Sequence, residues 1–182
     1  MLDLVDKREK VIYLTTMGNV SEKAAMAAKH EIESFYRLNV EIIDKTNLPK
    51  GAFCEVRKRY VAKSLLNHLK GKNIAGSAGK NYKIISLTNK DIETEDGSKH
   101  WGIMGLGKLG GDQSVVSYFR MNDCKKRFDK VVLHEVGHML AIDHCSSKDS
   151  KCFMKDAKGK GSNVDRTLKH LCTDCKRNQA FY

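Results

Sequence analysis

Proline is almost missing from this chain, with one in 182 residues, and tryptophan also occurs once. Aromatic residues make up only 7%. That excludes proline-rich linkers, and with 14 glycines and no repeat it excludes collagen-like, low-complexity and solenoid architectures. No apolar run approaches the roughly 18 to 20 residues that a membrane-crossing helix needs. Nor do basic residues alternate with aromatics, as a surface for stacking bases would require. The net charge of +11 is instead spread along the chain with acids between, as in Lys7-Arg8-Glu9-Lys10, which describes a solvated basic surface and disfavours nucleic acid as a partner. The opening Met1-Leu2-Asp3-Leu4-Val5-Asp6 puts two acids where a secretory signal needs its apolar stretch. With Met1 as the natural start, the expected compartment is the cytoplasm.

What remains is ordinary globular chain, 41% hydrophobic and 30% charged, of a length that fits one core. The β-branched runs Val11 to Thr15, Val40 to Ile43 and Tyr82 to Leu87 predict strands. Ser21 is placed to cap a helix running from Glu22 to about Leu38, and Val56 to Leu69 has the spacing of a second helix. Acid-rich Asp91 to Gly97 reads as a turn. Trp101 to Leu106 and Ser114 to Phe119 read as two strands of a hairpin joined by the mobile, glycine-rich Gly107 to Gly111. Helices are expected at Phe128 to Ala141 and Val164 to Lys169. The order predicts an α+β, sandwich-like domain.

Chemistry concentrates after residue 130. In His134-Glu135-Val136-Gly137-His138 the histidines stand four apart, so both imidazoles leave one helix face toward one metal ion. Glu135 flanks the same face. A third histidine, His144, reaches that ion only if the chain bends back near Ala141. Three neutral imidazoles leave a tetrahedral zinc one open position for water, the arrangement of a catalytic site. The ion acidifies that water and polarises a carbonyl, and Glu135 is placed to act as general base.

Four of the six cysteines lie in the last 38 residues, and two form Cys172-Thr173-Asp174-Cys175. That clustering reads as metal ligands more readily than as disulfides, with Cys145 and Cys152 completing a closed, structural tetrahedron. Redox-active or merely buried thiols, and His170 in place of one thiolate, are the competing accounts. Cys54 and Cys124 fit no ligand spacing and read as small buried hydrophobes. His30, His68 and His100 stand alone.

The run from His134 through His144, with a methionine beyond it, resembles the metzincin signature. Cys145 directly after the third histidine, then Cys152-Phe153-Met154 and Cys172-x-x-Cys175, resembles the archaemetzincins in particular. The resemblance implies a single metzincin-like domain over residues 1–182, a mixed twisted sheet packed on helices. Sheet, helices and active-site helix would occupy about 1–141, and a zinc-stapled C-terminal part about 142–182. It implies zinc peptidase chemistry on peptide or protein substrates, with two zinc ions. One is catalytic, on His134, His138 and His144; the other is structural, on Cys145, Cys152, Cys172 and Cys175. Met154 would be the floor beneath the catalytic ion, and the chain is expected to be a monomer.

The chain departs from the family at two points. Ala141 stands where the pattern has glycine, at a bend suited to positive φ, and six residues rather than four separate Cys145 from Cys152. Some metzincins place a tyrosine two residues after the methionine; here that position is Asp156. Endopeptidase and aminopeptidase action both remain open, as does which of the two late strands would pair with substrate. An acid such as Asp112 near the site would favour a free amino terminus. The rival reading is a non-catalytic zinc module that binds nucleic acid or a protein partner, which leaves Glu135 and His144 without a use.

Overall fold

The computed structural model of the protein describes residues 11–70, 82–96, 99–122 and 124–178; the acidic opening segment lies outside them. Strand β1 (Val11–Met17) and helix α1 (Glu22–Tyr36) lead to β2 (Asn39–Ile42), which pairs in parallel with β1. Ser21 caps α1 as its sequence predicts, its hydroxyl accepting from the Ala24 N–H at 3.3 Å. A short 3₁₀ turn at Lys50–Ala52 precedes β3 (Phe53–Cys54) and β4 (Arg59–Val61). Helix α2 then covers only Ala62–Lys70, because Arg59 to Val61 is drawn into a sheet.

Strand β5 (Lys83–Thr88) pairs in parallel with β1 on one side and with β9 (Gln113–Ser117) on the other. The expected turn at Asp91 to Gly97 is instead mostly a strand, β6 (Ile92–Asp96), paired antiparallel with β7 (Lys99–Ile103). Its acids explain the misreading, since three of five residues are charged, yet Ile92 and Glu93 are buried and Glu93 is neutralised by Arg57 at 2.6 Å. The stretch read as one strand from Trp101 to Leu106 is divided at Met104. Its first part is β7; its second, β8 (Gly105–Gly107), crosses to the other sheet and pairs antiparallel with β9.

Two sheets result: a five-stranded one in the order β2-β1-β5-β9-β8, and a four-stranded one in the order β3-β4-β6-β7. The five-stranded sheet buries both faces, which is why β5 reads as an unbroken apolar run. Ile12, Leu14, Ile85, Leu87 and Val116 face α1 and α3 (Lys125–Met139), while Ile84 and Val115 face α2 and the smaller sheet. Two short helices end the described chain, α4 (Gly161–Arg166) and α5 (Thr173–Arg177); the latter was not anticipated. Among the described residues no helix is long and apolar enough to cross a membrane.

Candidate metal centre and its cleft

Helix α3 is nearly all buried from Phe128 onward, and α1 holds it through polar contacts as well as packing, with Glu31 3.5 Å from the Lys125 ammonium at its start. The buried Tyr36 hydroxyl donates to the Leu133 carbonyl at 2.7 Å, and burial holds that phenol well above its ordinary pKa. Gly137 is required where it stands. A Cβ there would lie 2.7 Å from the Met154 sulfur and 3.1 Å from the Tyr36 hydroxyl. Met154, fully buried, thus packs against the helix between His134 and His138.

The helix ends in a Schellman motif: the Ala141 N–H bonds the His138 carbonyl at 3.0 Å and the Ile142 N–H the Gly137 carbonyl at 2.9 Å. Ala141 takes the left-handed conformation this demands, with φ 63°. The bend expected at this position is therefore present, with alanine bearing its strain. Ala141→Gly is expected to stabilise the metal-free protein, by less than about 1 kcal/mol, since relief of the Cβ clash is partly offset by glycine's greater unfolded freedom. A small rise in Tm checks it; a fall would mean that the alanine methyl has a packing role.

This bend brings the three histidines together. Ring centroids of His134 and His138 are 4.5 Å apart, and His144 lies 5.3 Å from the first and 4.7 Å from the second. One ligand atom from each lies within 4.8 Å of the others. The Nδ1 atoms of His134 and His138 are 2.8 and 2.9 Å from the carbonyls of Phe153 and Ile142. Carbonyls only accept, so each Nδ1 carries the proton and each Nε2 presents a lone pair. Those two Nε2 atoms face each other at 3.0 Å. Two lone pairs so close repel unless a cation lies between them, and tetrahedral zinc with bonds near 2.05 Å would set its nitrogens about 3.3 Å apart. Burial lowers the pKa of His134 to about 3, helped by the neighbouring His138, and burial with His144 nearby lowers that of His138. Both rings are kept in the neutral form that binds metal.

Glu135 is buried, and burial raises its pKa to about 8, opposed by a hydrogen bond from the Gly107 N–H. Strand β8 passes directly over it. A Cβ on Gly105 would lie 2.6 Å from the Glu135 Cγ, and one on Gly107 would lie 2.9 Å from its backbone oxygen and 3.3 Å from the His138 Cβ. The two glycines share a face at a spacing of two, so the pair, missed in the sequence, is what lets the strand lie on the helix. Because β9 has neighbours on both sides, β8 is the edge strand. It borders a cleft of about 560 Å³ that is also lined by the three histidines, Glu135, Lys130, Phe153 and Asp156. Asp112 does not line it; that acid pairs with Lys83 at 3.2 Å.

The four cysteines form a second cluster, all buried, with one ligand atom each within 4.8 Å. Cys145 and Cys172 sulfurs are 3.6 Å apart, and those of Cys152 and Cys175 3.7 Å. That is far beyond a disulfide and close to the roughly 3.8 Å between thiolates on one zinc ion. Burial opposes the Cys172 thiolate, but hydrogen bonds from Ser147, from the Cys175 N–H and from neighbouring thiols bring its pKa down to about 6. Burial and the adjoining thiols push Cys175 the other way. His170 is not among these groups, being paired with Asp149 at 2.8 Å. That pair, with Ser147 3.0 Å from the Cys145 sulfur, shapes the longer loop between Cys145 and Cys152. Cys54 and Cys124 are only half-buried, less enclosed than their sequence context suggested.

Fold, histidine cluster and cysteine cluster together define a zinc metallopeptidase. Curated relatives of similar length agree: the chain is 29% identical to an archaemetzincin of Haloarcula marismortui over 91% of this chain and 96% of that one. It is 24% identical to an archaemetzincin of Haloquadratum walsbyi over 92% and 98%. Among solved structures, the archaemetzincin of Methanopyrus kandleri superposes with a TM-score of 0.77 at 23% identity, covering 96% of this chain and 98% of that one. A zinc-dependent peptidase of Methanocorpusculum labreanum gives 0.75 at 21%, covering 92% and 98%. The model of Peptidase family M54 matches residues 10–180, and the chain belongs to that family.

Proposed function

We propose that the chain hydrolyses peptide bonds at the His134, His138 and His144 cluster, with Glu135 as general base and a second, structural zinc held by Cys145, Cys152, Cys172 and Cys175. The observation that carries this reading is the pair of Nε2 lone pairs facing at 3.0 Å beside a carboxylate that opens on a cleft. Zinc, when bound there, supplies a water of lowered pKa and polarises the scissile carbonyl. The protein's own groups do the rest. Glu135 takes the water's proton and passes it to the leaving amine, and the Gly107 N–H fixes the orientation of its carboxylate. Strand β8, an open edge above the helix, is placed to add an extended substrate as one more strand. Side-chain-free Gly105 and Gly107 leave Glu135 and the substrate backbone to meet closely. The alternative, a zinc module without catalysis, has no use for that cleft.

Digestion of a peptide library by the zinc-loaded protein tests the proposal. Cleavage should disappear on chelation and return on adding zinc. A fully zinc-loaded, folded protein that leaves every peptide intact would refute it.

A further inference from the structure

We infer that Ser147 is a positioning residue for the second metal, its hydroxyl donating to the Cys145 and Cys172 thiolate pair and strengthening its hold on zinc. The inference rests on the structural-zinc reading above. Ser147 lies in the enlarged loop between Cys145 and Cys152, where this chain has six residues instead of four. Its Oγ is 3.0 Å from the Cys145 sulfur and 3.4 Å from that of Cys172, and the two sulfurs are 3.6 Å apart. The same oxygen accepts the Asp149 N–H at 3.2 Å. An amide N–H cannot accept and a metal-bound thiolate cannot donate, so the hydroxyl proton is left to point at sulfur.

Four thiolates outweigh one divalent ion, so the filled cluster is an anion, and all four of these cysteines are buried. Enclosing such charge is costly unless donors face it. Backbone groups meet part of the need. Cys152 accepts the N–H of Cys172 at 3.5 Å and that of Met154, and Cys172 accepts that of Cys175. Ser147 adds a side-chain donor to Cys172 and supplies Cys145 as well. The loop is fastened so as to keep the hydroxyl there. Lys155 donates to the carbonyls of Cys145, at 3.0 Å, and of Ser147 itself, which pins the first half. Asp149 accepts the Lys151 N–H at 2.8 Å and pairs with His170 at 2.8 Å, and the Lys151 carbonyl accepts the Leu168 N–H at 2.8 Å, which pins the second. The extra length of the loop is therefore an arm that delivers a donor. Hydrogen bonds of this kind stabilise the charged, metal-filled cluster in its dry site.

Cobalt(II) in place of zinc makes this measurable, because thiolate ligands give it intense charge-transfer bands in the near ultraviolet while imidazoles stay silent there. In Ser147→Ala those bands should move to longer wavelength, since a sulfur stripped of a donor gives up its electron more easily. Competition with a chelator, followed at the same bands, should show binding at the cysteine cluster weakened by about tenfold. Ser147→Thr keeps the hydroxyl and should keep both values near wild type. Bands that stay in place in Ser147→Ala overturn the inference whatever the affinity does, because a merely structural loop contact would alter affinity alone. A threonine variant that behaves like the alanine one overturns it too. Absence of charge-transfer bands in wild type would take down the structural-zinc reading and the inference with it. Bands present in wild type yet blind to Ser147 sink the inference alone.

Discussion

Glu135→Gln is expected to lower kcat by about a thousandfold while leaving zinc content and Tm where they were. The substitution is nearly isosteric, and the amide oxygen can still accept the Gly107 N–H that orients the native carboxylate. Burial of the group also becomes cheaper, because Glu135 is only 5% exposed and its charge is costly to enclose. What disappears is the ability to take a proton from water and return it to the departing amine, a function that contributes some 10²- to 10⁴-fold in general base catalysis. None of the three imidazoles is touched, so metal analysis of the variant should match wild type. A variant that loses zinc together with activity would show that Glu135 supports the metal site instead. One that keeps activity within a few fold would remove it from the reaction.

Cys172→Ser is expected to disturb both clusters at once, lowering bound zinc from the proposed two per chain to fewer than one and Tm by at least about 10 °C. Two covalent straps join the clusters. His144 and Cys145 are adjacent residues, and the Cys145 N–H bonds the Met154 carbonyl at 2.8 Å. Cys152 is followed by Phe153, whose carbonyl accepts from His134 Nδ1 at 2.8 Å and whose N–H bonds the His170 carbonyl at 3.0 Å. Loosening the cysteine cluster therefore frees one histidine's backbone and another's orienting acceptor. Outer partners of this kind commonly change metal affinity 10- to 100-fold. A structural zinc site contributes several kcal/mol to folding, and each kcal/mol moves Tm by about 2–4 °C in a domain of this size. Zinc titration of the variant with activity as readout checks the coupling. Undiminished affinity at the histidine cluster would show the two sites to be independent.

The residues of both clusters were legible in the sequence because their information is local. Histidines four apart on a helix, and paired cysteines three apart, carry their geometry in the numbering itself. The bend at Ala141 was legible for the same reason: bringing His144 back to the helix leaves the chain few ways to turn. The parts that escaped depend on partners distant in sequence. Acids in β6 look like a turn until Arg57 and a second sheet are present to accept them. The break at Met104 is invisible in a continuous β-like run, because only the separation of the two sheets splits it. Gly105 looked like one more residue of a strand and Gly107 like the beginning of a mobile connection, and a glycine's need for bareness appears only when Glu135 lies beneath it.

The histidine and cysteine clusters all come from a short stretch near the C-terminus, and it is tempting to regard that stretch as a portable module. The Tyr36 hydroxyl on the Leu133 carbonyl argues otherwise. So do Val132, Leu133 and Val136, which lie in one continuous core with Ile12, Leu14, Ile32 and Val116. Cut away from the first hundred residues, the peptide would keep each donor atom and lose the scaffold against which the helix is braced. Transplantation or directed evolution of this centre therefore has to carry the whole fold along.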